Sequence, residues 1–498
     1  MELRLLAKLE VLARTLGIFF ASKWTVTAAM HRNIILGMLF NLAGACRGSL
    51  SLAFDAFVLL LPGGTNTQVG IMEGVAGISG LIATFVGGYL ADKCSRRCVL
   101  FAAALSAIIA TAAVLVTIIV LYTHYIDLTF LGICVAAAAS AIATGAGGPA
   151  AEACFGDSTP NHARAKLYAR KASFRTVGLS LGPLIAVFVF LLRSNTWTKP
   201  ELVVVMLISA GNSIVNALLM VLFRDVQSTP TAAGGERTES LLPAEQPRST
   251  STEPVNDSIV PTTAAAGDAA PANAAASSES DPATVTSALD AEVAGWRRSC
   301  CGIRRRHVPH LIVANNLLLG LGSGVAYKFL PIFCWKVLHL KPVSTYALTA
   351  SFQLLATLFN FVIRRAGEAI GPMSACVAFQ AVGCVAMGVI CFCENVPIVI
   401  TAMVIRGCMM NCTSGTRGAI LNDHIEKASR GRWNMGQQLG QVTWSGSAFA
   451  GGWLADHVGF RNAFTVTLGL HSLATLCLCP AMPIVPPERA RAAAKEVS

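Results

Sequence analysis

Runs of about 20 mainly apolar residues are long enough to cross roughly 30 Å of hydrocarbon at a rise of 1.5 Å per residue. Lipid offers no partner for a backbone N–H or C=O, so such runs are held to the helix, whose bonds close within the segment. Twelve of them recur here, at 34–61, 68–91, 98–121, 128–151, 171–192 and 201–223, then 308–333, 344–363, 372–393, 397–420, 434–455 and 463–482. Composition agrees: 54% of the 498 residues are hydrophobic and 13% are charged, against roughly 25% charged in an average soluble domain. The sequence predicts an all-α membrane protein of twelve transmembrane helices.

The segments between the runs set orientation. Lys and Arg remain on the cytoplasmic side during insertion. With the N-terminus inside, the outer loops hold five of the 38 basic residues, Arg193, Lys199, Lys336, Lys341 and Arg461. Both termini are therefore expected in the cytoplasm, in a plasma membrane or endomembrane. The net charge of +11 follows from that orientation and does not call for nucleic acid. Residues 1–33 intersperse Glu2, Arg4, Lys8, Glu10, Arg14 and Lys23 among apolar positions, which predicts an amphipathic segment on the cytoplasmic membrane face, with an organellar transit peptide as the alternative.

Residues 224–307 break the pattern. Rich in Ala, Ser, Thr and Pro, they hold no long apolar run and are expected to form a disordered cytoplasmic linker. The linker separates a six-helix bundle at 34–223 from another at 308–482, and 483–498 form a cytoplasmic tail. It ends in Arg297, Arg298, Arg304, Arg305 and Arg306, suited to anionic headgroups or to plain anchoring of the seventh helix. Glu236–Leu242 only loosely fits an acidic dileucine signal. The sixteen cysteines are scattered as packing residues would be. Cys94 and Cys98 have the spacing of a helical metal pair but no neighbouring ligand in sequence, and Cys300 and Cys301 are candidates for palmitoylation. No metal or other cofactor is implied.

The two halves repeat each other. Asp157 precedes Arg164 by seven residues at the end of span four, and Asp423 precedes Arg430 by seven at the end of span ten. Gly87-Gly88-Tyr89-Leu90-Ala91-Asp92 closes span two, and Gly451-Gly452-Trp453-Leu454-Ala455-Asp456 closes span eleven on the opposite face. Inverted three-helix repeats place equivalent segments in that way, and such symmetry is a mark of transporter folds.

With these motifs the chain resembles the major facilitator superfamily. Gly88, Asp92, Lys93, Ser95, Arg96 and Arg97 follow its signature between spans two and three, with Ser95 where the family has a second glycine. Gly178, Gly182 and Pro183 are similar to its span five, and Gly320, Gly322, Gly324, Phe329, Pro331 and Phe333 to its span seven. The resemblance covers 34–482 apart from the linker. It implies two six-helix bundles with inverted three-helix repeats, a cavity lined by spans one, four, seven and ten, and alternating access.

Charge within a span costs about 2.5–3.5 kcal/mol on insertion scales and marks function by default. Arg47 and Asp55 in span one, Lys328 in span seven and Arg406 in span ten are the candidate substrate-binding residues, on the set the resemblance implies for the cavity; Arg417 lies shallow enough to snorkel. Arg47 pairing with Asp55 two turns along, and Lys328 snorkelling, are the alternatives. Three cations against one carboxylate favour an anionic solute, with Asp55 as proton site if transport is proton-coupled. Asn315, Asn316, Gln353 and Asn411 are further polar candidates, or bridges between packed helices.

At the cytoplasmic ends, Asp92, Glu152 and Asp157 can pair with Lys93, Arg96, Arg97 and Arg164 as a latch, with Gly88, Asp423 and Arg430 completing the gating set. The sequence thus predicts a monomeric secondary transporter of a small molecule in a lipid bilayer. A transporter-like sensor or scaffold is the alternative. No phosphate-cradling loop points to a pump, and no cluster at one depth points to a membrane enzyme.

Overall fold

The computed structural model describes residues 28–160, 164–224, 305–425 and 430–485. Most of the N-terminal segment, nearly all of the linker with Cys300 and Cys301, the tail from 486, and the side chains of Asp92, Arg164 and Arg430 lie outside the described residues.

Twelve long helical segments are present among the described residues. They are α1 (Ala28–Ser49, continued by Leu52–Leu59), α2 (Asn66–Lys93), α3 (Arg96–Val116, continued through Thr117–Leu121 to His124), α4 (Ile126–Asp157), α5 (Arg164–Leu192) and α6 (Lys199–Leu222). The second half gives α7 (Val308–Ala326, continued by Phe329–Lys336), α8 (Pro342–Ile370), α9 (Pro372–Phe392), α10 (Val396–Asp423), α11 (Arg430–His457) and α12 (Phe460–Leu478). Eleven of these are long and apolar enough to cross a membrane by themselves, and α11 is the exception among the described residues. Its first turns carry Arg430, Arg432, Asn434, Gln437, Gln438 and Gln441, and it packs between α2 and α7. Large apolar side chains such as Ile78, Phe101, Phe188, Phe361 and Phe392 are exposed, as lipid-facing positions require.

Helix starts follow local chemistry. Ser95, in the place of the family's glycine, caps α3 by accepting a hydrogen bond from the Cys98 N–H, and Asn395 caps α10 by accepting one from Ile398. Thr65 and Gln68 form a capping box at the start of α2.

The packing repeats twice over. In the first half α1 meets α5 and α6, α4 meets α2 and α3, and α3 meets α6; in the second, α7 meets α11 and α12, α10 meets α8 and α9, and α9 meets α12. Exchanging α1, α2, α3 for α4, α5, α6 maps each pair onto another of the set, which is the signature of inverted three-helix repeats. The halves join through α2 with α11 and α5 with α8, themselves equivalent pairs.

One end of the molecule carries residues 224 and 305 and is termed the linker end; the other is the distal end. Toward the distal end both halves share one apolar core that includes Phe57, Phe190, Met206, Phe333, Tyr346 and Met403. Toward the linker end each half keeps cores of its own, around Leu100, Met220 and Phe155 in the first and around Ile312, Leu421 and Cys376 in the second. Among the described residues, the apolar core that the halves share lies toward the distal end.

Candidate functional site

The two broken helices define the site. α1 interrupts at Leu50 and Ser51, where bonds tighten to the three-residue spacing (Leu50 N–H to Arg47 C=O, 3.2 Å; Ser51 N–H to Gly48 C=O, 3.3 Å), and α7 interrupts at Tyr327 and Lys328. The breaks abut: Lys328 Nζ donates to Ser51 Oγ at 3.1 Å. The same ammonium donates to Glu73 Oε1 of α2 at 2.5 Å and lies 4.0 Å from Asp55 Oδ2 of α1. A lysine from one half is therefore held by two carboxylates of the other. Trp444 of α11 places its ring 5.8 Å from Nζ.

Beside this cluster opens a cavity of about 600 Å³ with Arg47, Glu73, Arg175, Lys328 and Trp444 in its wall. Most of the remaining lining is small or hydroxylic, with Gly77, Ala137, Ser140, Thr144 and Ser213 among it, and Phe54, Met72, Leu81 and Val114 add large apolar side chains. A second cavity, of about 770 Å³, shares Thr84, Thr144 and Gly145 with the first and runs on to Glu152, Asp157 and Lys171 at the linker end. Together they form a route from the ion cluster to that end.

Distal closure is built from side chains of both halves. The Trp197 ring stacks on Trp335 (centroids 5.0 Å apart) and on Tyr346 (6.2 Å), and its Nε1–H donates to the Leu340 carbonyl at 2.9 Å. Val343 N–H donates to Asn195 Oδ1 at 3.0 Å.

Of the four expected binding residues, Arg47 and Lys328 stand in the cavity wall. Arg47 donates to Ser140 rather than pairing with Asp55, and Lys328 is paired rather than snorkelling. Asp55 is buried behind Lys328, outside the lining, with Oδ1 lacking a hydrogen-bond partner. Arg406 is also outside the lining: it is buried in the second half, its Nε without a partner, within electrostatic range of Tyr327, Cys384 and His471. Asn315 bridges helices, donating to Gln380 Oε1 (3.1 Å) and the Ala474 carbonyl (2.7 Å); Asn411 donates within its own helix to Gly407; Gln353 donates to the Tyr327 hydroxyl.

In the gating set, Arg96 pairs with Asp157 and Glu152 pairs with Lys171, whose ammonium also lies 4.4 Å from the Phe155 ring. Lys93 sits over Tyr89, Arg97 lies within electrostatic range of Arg32, Asp423 is exposed at the end of α10, and Gly88 faces open space. Both of these ion pairs join helices of the first half. Glu73, Arg175 and Lys171 are additions that reasoning from sequence passed over, although all three fall within the predicted spans; a count of acids as well as bases inside every span finds them.

Comparisons with known proteins follow the same lines. A family model described as Major Facilitator Superfamily matches residues 35–443 and again 312–497. The fold is similar to that of the nucleoside transporter NupG (11% identity, 90% of this chain and 98% of that chain, TM-score 0.56). It is similar also to a bacterial homologue of the iron transporter ferroportin in an inward-facing state (11%, 90% and 98%, 0.57) and to a D-xylose-proton symporter (14%, 92% and 97%, 0.56). At these identities the likeness is one of fold. No curated protein matches the chain.

Proposed function

The chain belongs to the major facilitator superfamily, and from that premise we propose that it moves a small organic anion across a membrane by alternating access. The observation that carries this reading is the wall of the central cavity. Arg47, Arg175 and Lys328 stand there against Glu73, with Asp55 behind it, so the site keeps a net positive charge in surroundings where charge is expensive. The excess of basic residues in the intervening loops supports a cytoplasmic linker end. The form with one shared distal core and a route to the linker end is then the inward-open one. Glu73 and Asp55 supply carboxylates at which a coupling proton can reside when Lys328 withdraws with its half of the molecule.

The test is uptake into proteoliposomes from a panel of labelled organic anions, cations and sugars, with the Arg47→Ala, Arg406→Ala double variant beside the parent. Saturable uptake of an anion that the double variant abolishes is the expected result. Flux of cations alone, or anion uptake unchanged in the variant, overturns the reading; binding without flux for any solute points to a sensor on a transporter scaffold.

A further inference from the structure

We propose that the solute is a small organic dianion, gripped by Arg47 and Arg175 in the first half and drawn toward Arg406 in the second. This rests on the transport reading above and narrows its substrate class. The argument is one of charge accounting. Lys328 is already met by two carboxylates, Glu73 at 2.5 Å and Asp55 at 4.0 Å, and the cluster is neutral when one of the two carries the coupling proton. The arginines are not met in this way. Arg47 donates to the neutral hydroxyl of Ser140 and, like Arg175 and Arg406, has no carboxylate partner among the described residues. Part of α11 has undescribed side chains, but the sequence from 427 to 455 contains neither Asp nor Glu and holds no counter-charge for them.

A guanidinium cannot shed its proton at physiological pH. Its charge must be met by water or by an anion, and its fork of donors fits carboxylate and phosphate oxygens in pairs. Arg47 and Arg175 come from α1 and α5, which pack together, and both open on the same cavity. Two unmet charges in one wall match two charges on the ligand.

Tyr327 links this wall to the second half. It lies at the break of α7 and within electrostatic range of Lys328, Arg406 and Arg175, and its hydroxyl accepts from Gln353. Arg406 is 4% exposed, with an Nε that meets no partner. Arg406 lies outside the cavity lining, so what it offers a dianion held at Arg175 is the long-range attraction of a second cation across the interface, which favours drawing the two halves together at the open end. The cavity volume of about 600 Å³ lies within the usual range for small-molecule sites, and Ser140, Thr144 and Ser213 offer hydroxyls to the remainder of the solute.

The experiment uses the full chain in lipid nanodiscs at pH 7.5 and measures binding of matched pairs that differ by one charge. Succinate is compared with monomethyl succinate, and phenyl phosphate with methyl phenyl phosphate. The dianion of at least one pair should bind about tenfold or more tightly than its monoanionic mate. Arg47→Gln and Arg175→Gln should each remove that gap, while Arg175→Lys keeps part of it and the unliganded melting temperatures stay in place. The pair showing the gap tells carboxylate from phosphate. Equal binding within both pairs, or a gap that survives both Gln variants, overturns the dianion and leaves an anion carrier standing. A panel in which no anion binds, or only neutral or cationic solutes do, overturns the anion reading as well.

Discussion

Asp456, at the end of α11, caps the start of α2 by accepting two hydrogen bonds from Thr67, one from its N–H (2.7 Å) and one from its hydroxyl (2.6 Å). The other carboxylate oxygen accepts from the Asn66 N–H (3.1 Å) and side-chain amide (2.7 Å). A helix leaves its first N–H groups without partners inside the helix. Here Thr65 takes that of Gln68 from within the same segment, and Asp456 takes two more from 390 residues away. The cap is therefore a clasp between the halves at the distal end, and the positive end of the α2 dipole favours its charge.

Replacing the carboxylate should loosen that clasp. Asp456→Asn keeps the size but offers one acceptor oxygen in place of two, so the distal ends should separate more often. Spin labels at Thr123, in the last turn of α3, and Glu394, in the loop after α9, both exposed at the distal end and in opposite halves, should show a larger long-distance population than in the parent. The clasp is also pH-dependent. Burial alone would raise the Asp456 carboxyl, but the hydrogen bonds from Thr67 and Asn66 outweigh it and hold the group below the ordinary carboxylate value. A depressed acid contributes its stabilisation above the unperturbed value, about 3.9 for Asp, and loses it as pH falls through the depressed one. The distance distribution should thus stay constant from pH 8 to about pH 4 and broaden only below that; broadening near pH 6 would assign the change to another group.

The Lys328 cluster makes a second prediction. Removing one partner of a buried pair costs roughly 3–5 kcal/mol, because the charge left behind has no compensation. Lys328→Met strands both Glu73 and Asp55 and should lower the melting temperature of the detergent-solubilised protein markedly. Adding Glu73→Gln removes one stranded charge and should recover part of the loss. A double variant no more stable than Lys328→Met would show that the lysine acts through packing rather than charge.

How much of this was readable from sequence depends on distance along the chain. The twelve spans and the six-and-six division depend on local composition, and the repeat of Gly451–Asp456 on Gly87–Asp92 pointed to α11 before any contact was known. Charges whose meaning lies in a remote partner were harder. Asp55 was visible as a charge in a span, but its partner Lys328 lies 273 residues on, and the nearer alternative, Arg47 on the same helix, proved to bind Ser140 instead. Glu73 sits near the start of α2, where an acid reads as a helix-end charge; its pairing with Lys328 spans 255 residues. Lys171 and Arg175 belong to a helix that begins at Arg164, earlier than its apolar run, because the polar turns outside the membrane continue it. Arg406 reads in the sequence as a costly charge, yet its burial away from the cavity wall depends on how α10 packs against α8 and α9, which no local pattern encodes.

Close approach of α2 and α11 supplies a third prediction. A Cβ added at Gly77 would lie 2.1 Å from the Ser445 Cβ, and one at Gly70 would lie 2.6 Å from the Ala448 carbonyl oxygen. Only residues without a side chain let the two backbones come this near, and overpacking a fitted contact costs about 1–3 kcal/mol. Gly77→Ala should therefore disfavour the distal-closed form and widen the Thr123–Glu394 distances. Ser445→Gly in the same chain empties the space the new methyl needs and should restore the parent distribution. Failure of the second change to compensate the first would separate the effect from this contact.

The aromatic plug should act on the same equilibrium by another route. Trp197 joins Trp335 and Tyr346 across the halves and adds the hydrogen bond to Leu340. Aromatic pairs contribute about 0.5–1.5 kcal/mol each beyond their buried area, so losing two of them amounts to roughly five- to 150-fold in the ratio of closed to open forms. Trp197→Ala should let a membrane-impermeant thiol reagent applied from the distal side reach Ala137→Cys in the cavity wall, in a background freed of its other exposed cysteines. Trp197→Phe keeps the stacking but not the Nε1 donor, and should fall between parent and Ala. If Ala and Phe label equally fast, the hydrogen bond to Leu340 carries the closure and the stack does not; if neither labels faster than the parent, the seal lies deeper, at the Lys328 cluster where α1 and α7 break against each other.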